Sequence, residues 1–141
     1  MSEILVSFDF PADAELIDLA RLTRLAELVL VSENTRWVEV GIILTRHHRM
    51  SGLNRDFLNH EFDTDVLSFL LNQSDEGIEG EVYVDVETAA ERHSEFGSTL
   101  EKEIQRYVVH GLLHLAGHQD ETLEKKQAMH RLESRYLEMD A

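Results

Sequence analysis

The eleven residues His110-Gly111-Leu112-Leu113-His114-Leu115-Ala116-Gly117-His118-Gln119-Asp120 constrain this chain more than any other stretch. If the run from Leu100 to Val109 is helical and continues, His110 and His114 stand one turn apart on one face, where both imidazoles reach a single ion. Gly117 falls where such a helix would stop, because glycine just past a helix end adopts the left-handed conformation that turns the chain back. A third ligand then has two sources. His118 supplies it if the helix runs on for another turn, and Asp120 supplies it if the chain reverses at Gly117. Spacing alone leaves both open.

A pair of histidines four residues apart often ends as two ordinary hydrogen-bonded side chains at the edge of a core. Two histidines, a stop glycine and a third ligand in one short segment point instead to a metal centre. The ligand and glycine spacing matches the metzincin zinc site, H-E-x-x-H-x-x-G-x-x-H, but Gly111 stands where those proteases carry their general-base glutamate. A residue without a side chain takes no proton from water, so peptidase chemistry is disfavoured.

Composition narrows the reading. With 141 residues and 43% apolar content the chain is long enough for one domain, spanning residues 1–141, with its own core. It has no cysteine, so an ion must be held by histidine and carboxylate, a usage that suits a reducing cytoplasm. The first residues lack a basic segment followed by an apolar run, and no stretch is apolar for long enough to span a bilayer, so neither secretion nor membrane insertion is expected. Thirteen Lys and Arg against 28 Asp and Glu leave a net charge of −15, which repels polyanions at long range and argues against a general nucleic-acid binder. It leaves room for a local basic groove. Arg46-His47-His48-Arg49, with Arg36 and Arg55 on either side, forms the basic cluster of the first half, although a solvated turn accounts for it equally well.

Periodicity sets the elements. Ile4 to Phe8 reads as an edge strand, and Pro11 opens a long amphipathic helix to about Ser32 with Leu16, Leu19, Leu22, Leu25, Ala26 and Val29 as its core face. Trp37 to Leu44 reads as a strand, Ser51 to Leu58 as a short helix, Asp65 to Leu70 as a buried strand, and Gln73 to Gly80 as a polar loop or hairpin connection. Glu81 to Val86 alternates strictly and gives another strand, and Glu87 to Phe96 gives a helix. Ser98 or Thr99 caps the clamp helix. A last helix from Thr122 to Met139 presents Leu123, Met129, Leu132, Tyr136 and Met139. The order predicts a single α+β domain: a small mixed sheet of about four strands packed against helices, with the metal site at the end of a central helix.

The clamp segment resembles the H-G-x-L-H-L-x-G-Y-D-H signature of the YbeY family of ribosomal-RNA maturation endoribonucleases. Leu53-Asn54 and Thr64-Asp65-Val66-Leu67-Ser68-Phe69 resemble that family's L-N-x-x-[YF]-R and P-T-[DN]-V-L-S-F block at matching separation. Gly80-Glu81-Val82-Tyr83-Val84 is similar to its G-[DE]-I-x-[IV] strand, and Glu103 lies seven residues before the first histidine, as the family's glutamate does. The likeness runs in matching order over residues 37–120.

The resemblance implies an α+β fold, one zinc ion held by three side chains, and cleavage of single-stranded RNA during maturation of the small-subunit rRNA 3′ end. Carried over by position, the ligands are His110, His114 and Asp120; the family's usual third ligand is histidine, and His118 takes the place of the signature tyrosine. Two histidines and a carboxylate are a competent zinc set with an open position, and are equally the facial set of non-haem iron enzymes. The family's arginine falls at Leu58, so either Arg55, Arg46 or His60 stands in for it or the protein cleaves RNA poorly, and Asp63 replaces the proline before Thr64. His118 is the candidate proton shuttle. Asp65 and Ser68 read as a strand end and a polar wall, while Glu103 either orients a ligand histidine or pairs with Arg106 or Lys102 on its own helix. The implied partners are single-stranded rRNA and the small ribosomal subunit or its proteins, with no membrane, and a monomer is expected. A non-catalytic metal-containing ribosome-assembly factor is the alternative.

Overall fold

The structure is a computed structural model that describes residues 2–12, 17–55, 65–92, 97 and 99–140. The expected core position Leu16, the far half of the helix drawn to Leu58, the substituted positions Leu58, His60 and Asp63, and the cap candidate Ser98 lie outside the described residues.

Four strands form one mixed sheet in the order β1-β2-β4-β3: β1 (Glu3–Phe8), β2 (Trp37–Thr45), β3 (Val66–Ser74) and β4 (Gly77–Asp85). β1 pairs parallel with β2, β2 pairs parallel with β4, and β3 closes the other edge antiparallel to β4. Strand alternation gives the sheet two apolar faces. On one, Val40, Ile42 and Leu44 of β2 and Val82 and Val84 of β4 are covered by α1 (Leu19–Ser32) and α4 (Leu100–Leu115). On the other, Leu67, Phe69 and Tyr83 meet Met50 and Leu53 of α2 (His47–Leu53). Two further helices, α3 (Val86–Arg92) and α5 (Leu123–Asp140), pack against α4.

The α+β architecture with about four strands is as expected. Several boundaries differ for local reasons. α1 begins at Leu19 and not after Pro11, because Asp18 adopts an extended conformation and its side chain accepts a hydrogen bond from the Arg21 N–H. The polar stretch from Gln73 belongs mostly to the ladder, where Gln73 pairs with Ile78 and Ser74 with Gly77, so β3 and β4 join through Asp75-Glu76 alone. The hairpin is as expected and its connection is shorter than drawn, because the exposed, polar outer half of β3 still pairs. The cluster Arg46 to Arg49 is the start of α2, with Arg46 at its N-cap position, and not a turn. In α5, Met129 and Tyr136 are buried, but Leu123 and Met139 at its ends are exposed. Thr99 caps α4, its hydroxyl accepting from the Lys102 N–H.

Candidate metal centre

Leu100 to Leu115 form a helix because an apolar stripe, with Ile104, Val108, Leu112 and Leu115 all buried, recurs at helical spacing under a threonine cap. The helix lies close against the sheet at Gly111. A Cβ there would stand 2.4 Å from Val82 Cγ1, and Ser68 donates a hydrogen bond to the Gly111 carbonyl at 2.8 Å. Gly111 is therefore a point of close approach between helix and sheet, on the buried side of α4. A glutamate in its place would be driven into Val82 instead of reaching the cleft, so the missing protease base follows from packing.

After Ala116 the helix ends in a Schellman motif: the His118 N–H donates to Leu113 O, the Gly117 N–H donates to His114 O, and Gly117 has φ 105°. This reversal sends the two third-ligand candidates to different places. It carries Asp120 back over the clamp, where its Oδ2 stands 3.5 Å from His110 Nε2 and 3.5 Å from His114 Nε2, the two nitrogens being 3.1 Å apart. His118 is turned instead toward α1, with Nε2 2.5 Å from Glu33 Oε1.

Those three separations fit one small cation. Ligands about 2.05 Å from a tetrahedral zinc ion lie roughly 3.3 Å from one another. The protonation pattern fits as well. Glu133 Oε2 accepts from His110 Nδ1 at 2.7 Å, which places the ring proton on Nδ1 and leaves Nε2 a lone pair facing the centre. His114 bonds to the backbone of His118 while its Nε2 faces the same centre. Burial, and then the neighbouring His110, push the His114 pKa below its ordinary value, favouring the neutral ring that binds metal. Two ring nitrogens and a carboxylate oxygen converging on one point form a set that could hold one shared cation.

The centre opens into a cleft of about 810 Å³, walled by β3 on one side and by the 117–120 turn and Glu133 on the other. Asp65 and Ser68 line it, as does His118. Burial raises the Asp65 pKa even though Arg92 pairs with it at 3.3 Å, and burial together with the charge of Asp65 raises that of Tyr107 beside it. The two arginines expected to hold phosphate are elsewhere. Arg46 lies with its guanidinium 4.5 Å over the Phe10 ring and Arg55 is exposed past the end of α2; neither lines the cleft. The reason is the sheet's alternation, since α2 packs on the face opposite α4.

Two acidic residues went unnoticed in the sequence. Glu133, buried on α5, holds His110 with one oxygen and accepts from Arg106 at 3.2 Å with the other. Its signal was present: it sits four residues after Met129 and three before Tyr136, a carboxylate within an apolar stripe. Glu103, expected either to orient a ligand histidine or to pair with Arg106 or Lys102, lines the adjoining cavity at the start of α4. Glu33, just past α1, joins His118 to the Tyr136 hydroxyl, which donates to its Oε2. Burial raises its pKa, but the bonds from Tyr136 and His118 and the charge of His118 outweigh that and leave it below the ordinary value. Tyr136 is in turn pushed up to about 12, by burial and by Glu33.

The chain is 44% identical over 129 residues to the endoribonuclease YbeY of Salinibacter ruber, covering 86% of this chain and 82% of that protein. It is 36% identical over 122 residues to that of Chlorobaculum parvum, covering 86% of each. The solution structure of TM1509 from Thermotoga maritima superposes with a TM-score of 0.66 at 29% identity, covering 98% of this chain and 89% of that one. Residues 11–139 match the family described as Endoribonuclease YbeY, and the chain belongs to that family.

Proposed function

We propose that this chain is a single-strand-specific, zinc-dependent endoribonuclease that matures the 3′ end of small-subunit rRNA in the cytoplasm. The observation that supports this best is the convergence of His110, His114 and Asp120, with ligand atoms 3.1 to 3.5 Å apart, at an open cleft. The endoribonuclease name carried by relatives 44% and 36% identical adds the reaction class. A bound zinc ion supplies Lewis acidity toward a phosphoryl oxygen and lowers the pKa of water. The chain's own residues do the remainder. Glu133 accepts from the Nδ1–H of His110 and so orients its Nε2 toward the centre, and Leu115 and Leu70 line the cleft with apolar surface. His118, steadied by Glu33, carries a proton at the cleft wall in this reading.

Zinc-loaded protein incubated with single-stranded and duplex RNA tests the proposal. Cleavage of the single strand alone is expected, abolished in His114→Ala with an unchanged circular dichroism spectrum. The net charge of −15 favours a second reading, a non-catalytic metal-containing assembly factor that docks to ribosomal protein or RNA. It requires binding to small-subunit particles with no cleavage of any RNA, and metal-dependent cleavage that disappears in His114→Ala would exclude it.

A further inference from the structure

Arg106 stands one helical turn before His110 on α4, about 6 Å along the axis. Among the described residues that line the metal cleft it is the one lysine or arginine. It also lines a second cavity, of about 610 Å³, which shares Asp65 and Tyr107 with the first and continues to Arg92 and His130. The metal centre thus lies within a longer groove whose next cation along α4 is Arg106.

Part of this guanidinium is already engaged. One terminal nitrogen donates to Glu133 Oε1 at 3.2 Å and lies 3.4 Å from His130 Nδ1, and the other donates to Ser134 Oγ at 3.2 Å. These contacts hold the planar group in place, and an arginine has five N–H donors in a fixed fork. Its side chain is 27% exposed, and the residue lines both cavities. A purely structural partner for Glu133 would need neither that exposure nor a position in the groove wall.

We infer that Arg106 binds a phosphate of single-stranded RNA adjacent to the phosphate at the metal centre, with Arg92 and His130 bordering the onward path of the strand. Prearranged by Glu133 and Ser134, the guanidinium presents its remaining donors to a phosphate oxygen. It takes the part expected of Arg46 and Arg55, which line neither cavity. This inference rests on the endoribonuclease reading above.

The test is fluorescence anisotropy of labelled oligouridylate binding to zinc-loaded protein over a series of salt concentrations, with zinc content measured on each sample. Arg106→Gln is expected to weaken binding about tenfold, the loss of one charge-assisted contact, and to make the plot of log K against log salt shallower by about 0.7. Arg106→Lys keeps the charge and is expected to keep the wild-type slope. Lys126→Gln, at an exposed residue that lines neither cavity, serves as the control and is expected to keep both the affinity and the slope. An Arg106→Gln protein that loses zinc but keeps the wild-type slope would assign the guanidinium to Glu133 alone and overturn the inference. So would wild-type affinity and slope in a fully zinc-loaded Arg106→Gln protein that still cleaves RNA. Failure of the wild-type protein to bind or cut any RNA would instead sink the endoribonuclease reading, and this inference with it.

Discussion

Replacing Glu133 by glutamine isolates the group that orients a ligand. Its carboxylate is nearly enclosed, with 7% of the side chain exposed, so the bond to His110 is little screened by solvent. At 2.7 Å that bond is short, in the range of hydrogen bonds strengthened by charge. Glutamine keeps the volume but can satisfy only one of the two partners: with its oxygen toward His110 Nδ1, its amide N–H groups face the Arg106 donor 3.2 Å from the other position. A neutral bond in place of a charged one, beside an arginine left with a donor opposite, weakens the ligand set by about 1.4 to 2.4 kcal/mol. That corresponds to a roughly ten- to fiftyfold rise in the zinc dissociation constant. Competition against a chromophoric chelator at neutral pH measures it, with circular dichroism reporting the fold. Glu103→Gln, at the position first expected to orient a ligand, should leave zinc affinity unchanged. Equal zinc affinity in Glu133→Gln and wild type would refute the reasoning, because His110 would then be held by something else.

Gly111→Ala is expected to destabilise the protein by about 1 to 3 kcal/mol, since the added methyl must displace Val82 and exceeds the gain of about 1 kcal/mol in helix propensity; a melting temperature at or above wild type would show that α4 can lift off the sheet without cost. The lowered Glu33 pKa fixes a sign: its stabilisation is complete above the ordinary carboxylate value of 4.5 and is lost as pH falls through the lower folded value. Wild type should therefore lose stability more steeply than Glu33→Gln on acidification below that value, and parallel melting curves against pH would contradict it.

What was legible in the sequence was local. His110, His114, Gly117 and Asp120 lie within eleven residues, so helix geometry and one stop glycine fix their relation, and the Schellman turn needed only to choose Asp120 over His118. The sheet was legible because Val40, Ile42 and Leu44 keep the two-residue period of a strand with a buried face. Contacts that depend on tertiary packing were not. Glu133 reaches His110 across 23 residues and Glu33 reaches His118 across 85, and no local pattern encodes either pairing. The basic cluster could not be placed for a related reason: charge read along the chain does not say which face of the sheet α2 will cover, and it covers the face opposite α4. Arg106 was seen only as a possible partner for Glu103, whereas α5 supplies its carboxylate.

The central claim is that one ion is held by His110, His114 and Asp120, and elemental analysis of purified, zinc-dialysed protein tests it most directly. One zinc per chain is expected in the wild type and in His118→Ala, with none retained in Asp120→Ala. Full zinc in Asp120→Ala together with loss in His118→Ala would contradict the account, since the turn at Gly117 would then deliver the wrong side chain.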